Sequence, residues 1–177
     1  MKYLLTVYLL VLGYIIQAQT PKKFADGKYR YVNKQGEVIE KLGEWKHANS
    51  FYKYHLTSVT DFTGKRFLLD KKGNAYRFAN NLEALTPEVE ACGWQDMSHL
   101  TSIPPEILRA THLKVLLIDK NRLTKIPKEI RQLKNLVTLR ITNSRSLTKL
   151  PPEIAELNNL KNLNYLIINI LARYLLQ

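Results

Sequence analysis

Half-cystine pairs are what this 177-residue chain most plainly lacks: it has one cysteine, Cys92, so no internal disulfide can brace it and stability must come from a packed core. Acidic residues are also scarce, 15 against 27 lysines and arginines, which leaves a formal net charge of +12. Such a surplus raises nucleic acid and anionic surfaces as partners. Its distribution argues against nucleic acid. From Pro21 to Leu85 there are 13 Lys/Arg against 7 Asp/Glu, and from Thr86 to Gln177 there are 13 against 8. No basic run exceeds two residues, whereas nucleic-acid binders concentrate charge on one face. Hydrophobic residues at 45% and charged residues at 24% exclude a disordered chain as the default.

Only the first segment carries a long apolar run. Lys2 precedes an uncharged apolar stretch from Tyr3 to Ile16, then Gln17-Ala18-Gln19-Thr20. This is the pattern of a secretory signal peptide over residues 1–18, cut near Ala18, and shorter than the roughly 20 residues of a membrane span. The expected location is therefore outside the cytoplasm: secreted, periplasmic or at the cell surface.

The second half repeats. Leu123-Thr124-Lys125-Ile126-Pro127-Lys128-Glu129-Ile130 nearly duplicates Leu147-Thr148-Lys149-Leu150-Pro151-Pro152-Glu153-Ile154, and Leu100-Thr101-Ser102-Ile103-Pro104-Pro105-Glu106-Ile107 is a third copy. Apolar residues then fall at fixed steps: Ile107, Leu113, Leu116, Ile118; Ile130, Leu133, Leu136, Leu139, Ile141; Ile154, Leu157, Leu160, Leu163, Tyr165. Val89, Cys92 and Trp94 fit an earlier strand. Strand units starting at Val89, Leu113, Leu136 and Leu160 are spaced by 24, 23 and 24 residues.

The segment Leu113-Lys114-Val115-Leu116-Leu117-Ile118-Asp119-Lys120-Asn121-Arg122-Leu123 resembles the leucine-rich-repeat pattern L-x-x-L-x-L-x-x-N-x-L, and the proline segments resemble its L-P-x-x-I-x-x-L-x-x-L continuation. The resemblance implies an α/β fold for 86–177: a short solenoid of about four units, with parallel strands on a concave face and short helical turns on the convex one. Side chains alternate along a strand, so Cys92, Trp94, Leu116, Ile118, Leu139 and Ile141 are expected to stack inside. Pro104, Pro127 and Pro151 precede the helical turns, where a missing N–H costs little. Glu106, Glu129 and Glu153 then sit at helix starts, where negative charge is favourable. Asn121 is expected to satisfy turn backbone groups.

Residues 21–85 hold a second repeat. Gly27-Lys28-Tyr29-Arg30-Tyr31-Val32-Asn33-Lys34-Gln35-Gly36 aligns onto Gly64-Lys65-Arg66-Phe67-Leu68-Leu69-Asp70-Lys71-Lys72-Gly73 at a period of 37. Each copy predicts a strand, a turn on Asn/Asp closed by glycine, and a returning strand (Glu37 to Glu40; Asn74 to Phe78). The pattern is similar to the bacterial WG repeat, with Tyr29-Arg30 and Arg66-Phe67 where that family has Trp-Gly. Tyr29, Tyr31, Trp45, Phe51, Tyr52, Tyr54, Phe62, Phe67, Tyr76 and Phe78 are expected to form the core of this small β-hairpin-rich module.

The sequence holds no catalytic constellation and implies no cofactor. His47, His55, His99 and His112 lack metal-ligand spacing, Thr63-Gly64-Lys65 lacks the upstream glycine of a phosphate loop, and no G-x-S-x-G elbow occurs. The candidate surface comes from strand alternation instead. Ala91, Gly93 and Gln95, then Val115, Leu117 and Asp119, then Thr138, Arg140 and Thr142, then Asn162 and Asn164 are expected on the concave face, with Val115 and Leu117 as outward apolar residues. The expectation is an exported bacterial binding module that recognises another protein there. The alternatives are an adhesive or structural envelope component binding anionic polysaccharide, or a fragment of a longer repeat protein. The nearly uncharged stretch after Leu163, with Arg173 as its only charge, is a candidate for self-association.

Overall fold

A computed structural model describes residues 19–51, 55–94, 99–144 and 146–165, the side chains of Trp94 and Tyr165 excepted. The expected signal peptide (1–18), Tyr52, Tyr54, Gln95 and the apolar segment after Tyr165 lie outside the described residues. The chain divides into two compact units, Met1–Ala75 and Tyr76–Gln177.

In the first unit, four turns of one design organise the strands. Strands β1 (Thr20–Lys23) and β2 (Tyr29–Val32) pair antiparallel around Phe24–Gly27, and β2 also pairs with β3 (Glu44–Trp45). Strand β5 (Leu56–Thr60) pairs with β4 (His47–Ala48) and with β6 (Arg66–Asp70), the latter around Asp61–Gly64. The turns at Asn33–Gly36 and Asp70–Gly73 follow β2 and β6. In three of the four, one side-chain oxygen accepts two backbone N–H groups. Asn33 Oδ1 takes those of Gln35 and Glu37, both at 3.0 Å; Asp61 Oδ1 takes Thr63 at 2.9 Å and Lys65 at 2.8 Å; Asp70 Oδ1 takes Lys72 at 2.8 Å and Asn74 at 2.9 Å. Each closes on a glycine with positive φ, 84°, 87° and 95° at Gly36, Gly64 and Gly73, where a Cβ is strained. This is the physical content of the 37-residue repeat.

The first returning strand, expected over Glu37 to Glu40, is reduced to one bridge between Val38 and Val32. The chain then winds into a 3-10 turn, Glu40–Leu42, which drives Leu42 into the core at 1% exposure. Burial of Leu42 with Tyr31, Val59 and Leu69 outweighs continued pairing. Ile39, Trp45, Phe51 and Phe67 pack against that cluster. Phe62, expected inside, is 55% exposed because it occupies the tip of the Asp61–Gly64 turn.

The second unit begins ten residues ahead of the boundary expected at 85/86. Strand β7 (Ala75–Ala79) pairs in parallel with β8 (Ala91–Trp94), and Leu82 and Leu85 already pack against this unit's core. From β8 the sheet is parallel and regular: β9 (Val115–Asp119), β10 (Thr138–Thr142) and β11 (Asn162–Tyr165) follow side by side. The in-register residues Ala91, Val115, Thr138 and Asn162 are 24, 23 and 24 apart. Between strands lie one turn of helix, α1 (Pro105–Arg109), and two 3-10 turns, Lys128–Gln132 and Pro152–Glu156. Pro104, Pro127 and Pro151 stand directly before them, and Glu106, Glu129 and Glu153 fall in their first turns, as the sequence predicts.

The core of this unit is one cluster running through the coils. Cys92, Leu116, Ile118, Leu139 and Ile141 line its strand side, and Ile107, Leu113, Ile130, Leu133 and Leu136 its helical side, all at 1% exposure or less. Burial thins toward β11: Ile154 and Leu160 are only partly buried, and Leu163, the in-register partner of buried Leu139, is 43% exposed. Asn121 stitches the loops together within that core. Its Oδ1 accepts the Leu123 N–H at 3.1 Å and the Ser144 hydroxyl at 2.7 Å, and its Nδ2 donates to the Thr142 carbonyl at 3.4 Å. Outside, a second asparagine ladder ties coil to coil: Asn135 Nδ2 donates to the Thr111 carbonyl at 3.0 Å and Asn159 Nδ2 to that of Lys134 at 2.8 Å.

Candidate functional site

Strand register arranges the candidate residues in rows across β8 to β11. The first row reads Ala91, Val115, Thr138, Asn162; the second, Gly93, Leu117, Arg140, Asn164; and Asp119 pairs with Thr142 in the third, in which Gln95 lies outside the described residues. The structure thus aligns the residues that alternation selected, but it grades them by access. Val115, expected to point outward into solvent, has no exposure, and Thr138 and Thr142 are buried at 7% and 3%. Val115 is enclosed between Ala91, itself at 0%, and Thr138, its in-register neighbours on either side. The accessible set is narrower: Leu117, Asp119, Arg140 and Asn164 are half-buried and Asn162 is exposed.

Two devices hold this set in place. Gly93 lies so close to β9 that a Cβ there would come within 2.5 Å of the Leu117 carbonyl oxygen and 2.7 Å of its Cβ. The absence of a side chain on β8 is what lets Leu117 sit beside it. Farther along, Asp119 is a fixed acceptor. Its Oδ1 receives the Thr142 hydroxyl at 2.6 Å, the Asn143 amide at 2.7 Å and the Lys120 N–H at 2.9 Å. Lys120 and Asn143 occupy the same place in successive coils, and both have positive φ, 47° and 55°. The chain therefore turns left-handed at the ends of β9 and β10, and the Asp119 carboxylate bridges the two turns. In the first row, Asn162 Nδ2 donates to the Thr138 hydroxyl at 3.2 Å. Sequence reasoning found the row positions but not this bridging role of Asp119, since polar bonding between coils leaves no periodic mark in one unit.

Among the described residues no group of three or more His, Cys, Asp or Glu could hold a metal ion, and no helix is long and apolar enough to cross a membrane. Cys92 is fully buried, and desolvation pushes its thiol up to about 12. A thiol so held is a core filler rather than a nucleophile. In the first unit, Asp26, Lys28, Arg30 and Glu44 form an ion-pair cluster on the surface: Lys28 meets Glu44 at 2.5 Å, and Arg30 meets Asp26 at 2.6 Å and also Glu44. Hydrogen bonds from Arg30 and the Lys28 backbone hold the Asp26 carboxyl below its ordinary value, and those from Lys28 and Arg30 do the same for Glu44. The four charges satisfy one another, which suits a structural clasp.

No protein-family profile and no curated protein matches the chain. Among solved structures, it is similar to a leucine-rich-repeat protein of Leptospira interrogans, with 36% sequence identity over 48% of this chain and a TM-score of 0.37. The matched part spans 24% of that protein's length.

Proposed function

We infer that this chain is an exported, non-enzymatic leucine-rich-repeat binding module whose second unit is a short solenoid, and that it recognises a protein partner through its strand face. The observation that carries the reading is the in-register row of Leu117, Arg140 and Asn164, flanked by Asp119. It offers one apolar side chain, one cation and fixed polar groups on a rigid sheet, half-buried rather than fully solvated. Arginine and apolar anchors in a partly desolvated setting are what interface centres use. The repeating coils, the internal asparagine and the proline-led helical turns support the leucine-rich-repeat assignment. The signal-like first segment supports export, and the 37-residue turn repeat fits a WG-like first module.

The test is capture of a partner from cell-surface extract by the full chain, compared with the double variant Leu117→Glu, Arg140→Ala, after circular dichroism shows both folded. The expected outcome is a captured protein that survives moderate salt and is lost with the variant. Equal capture by both proteins would overturn the strand-face reading.

A further inference from the structure

We propose that the loops leaving the strands of the second unit form a separate docking surface for an extended anionic polysaccharide. These loops, 120–127 after β9 and the described residues 143–144 and 146–151 after β10, carry Lys120, Arg122, Lys125 and Lys149, all exposed and none in an ion pair with a described residue. Elsewhere in the unit Lys114 pairs with Glu90 at 2.5 Å, and Lys134 and Arg131 pair with Glu156 at 3.3 and 4.0 Å. The loops themselves contain no acidic residue, and Asp119, which precedes the first of them, has one oxygen engaged by Thr142, Asn143 and the Lys120 N–H. The fold thus brings four exposed cations and no acidic residue together on these two loops.

Their arrangement is linear. The Arg122 N–H donates to the Leu100 carbonyl at 2.9 Å, and Asn121 bonds to Ser144 at 2.7 Å, so the loops stack coil upon coil. Lys125 and Lys149 occupy the same position in successive copies of the Leu-Thr-Lys segment. Adjacent strands of a sheet are about 4.8 Å apart, so Lys125 and Lys149 follow one another at about that interval along the stack. Exposed Thr124 and Thr148 place a hydroxyl beside each lysine. The fitting ligand is an extended polymer with regularly spaced anions and hydroxyls. Two other polyanionic partners fit worse. The loops have no aromatic residue for stacking bases, and among the described residues the large exposed apolar side chains, Phe62 and Leu163, are not on them, so no apolar anchor there enters a bilayer.

The surface does not depend on the strand-face reading, and Leu117→Glu with Arg140→Ala is expected to leave it intact. The probe is alginate, a carboxylated polysaccharide, with oligo-dT, polyglutamate and phosphatidylglycerol vesicles as competitors for the full chain at low salt. Lys125→Glu with Lys149→Glu is expected to weaken alginate binding at least tenfold. The charge-matched control Lys34→Glu with Lys72→Glu, on exposed turns of the first unit, is expected to change it less than twofold. Lys125→Gln with Lys149→Gln gives a smaller loss in the same direction and decides the matter if the glutamate pair does not fold. Equal loss in the loop and control variants, absence of alginate binding, or tighter binding to any of the three competitors would overturn the proposal.

Discussion

Single side chains in this protein are most informative where burial and bonding meet. Cys92 is the simplest case. With no exposure and its thiol pushed up to about 12 by desolvation, it is expected to be inert to an aromatic disulfide reagent in the native protein and fully reactive in denaturant; rapid native labelling would place it outside the core. Asn121 is a sharper test, because it closes one loop and bonds to the next. Asn121→Ala strands a buried N–H and a buried hydroxyl, and we expect a loss of about 1–3 kcal/mol in chemical denaturation, with unaltered stability counting against the stitch. At the clasp of the first unit, Asp26 and Glu44 titrate below their ordinary values of 3.8 and 4.5. A lowered folded value means the folded state binds the proton less readily. Their contribution is thus present above those ordinary values and is lost as pH falls through the folded ones. Carboxyl NMR titration of both residues, with Arg30→Gln as comparison, is expected to show each value move back up.

Elements show which parts of the fold were legible in the residues and which were not. The strands of the second unit were, because Leu116, Ile118, Leu139 and Ile141 repeat at the coil length and must face one core. The helical turns were too, since Pro104, Pro127 and Pro151 mark where each begins. The extent of exposure was not legible: Val115 alternates outward, yet its neighbours across the sheet enclose it, and neighbours across a sheet are distant in sequence. Gly93 illustrates a further gap, since its need for smallness arises from Leu117 on the next strand. Gly93→Ala is expected to force β8 and β9 apart and cost about 1–3 kcal/mol, read as a drop in melting temperature; full retention of stability would contradict the close approach. The outer asparagine ladder gives a change in the opposite direction. His112 occupies the place of Asn135 and Asn159, yet its Nε2 is buried without a hydrogen-bond partner. His112→Asn is expected to stabilise the unit by about 1 kcal/mol in the same assay, and a loss would show that the imidazole is needed there.

For the molecule as a whole, two ideas from the sequence meet different fates. The second unit is built of parallel strands and short helical turns at the spacing the repeats imply. The first unit owes its repeat to Asx-type turns, and in its first copy the returning strand shrinks to one bridge because Leu42 takes the chain inward. The proposed surface was legible only as a direction: alternation named the strand face, and the register and burial then reduced its accessible positions to Leu117, Asp119, Arg140, Asn162 and Asn164. The measurement that tests this face most directly is site-specific photo-crosslinking in the presence of cell-surface extract, with the photoreactive group placed at position 117 or, separately, at the exposed helix-side position of Arg131. The expected result is a discrete adduct from position 117 and none from 131. An adduct from 131 alone, or none from 117 in a protein that still captures its partner, would contradict recognition through the strand face.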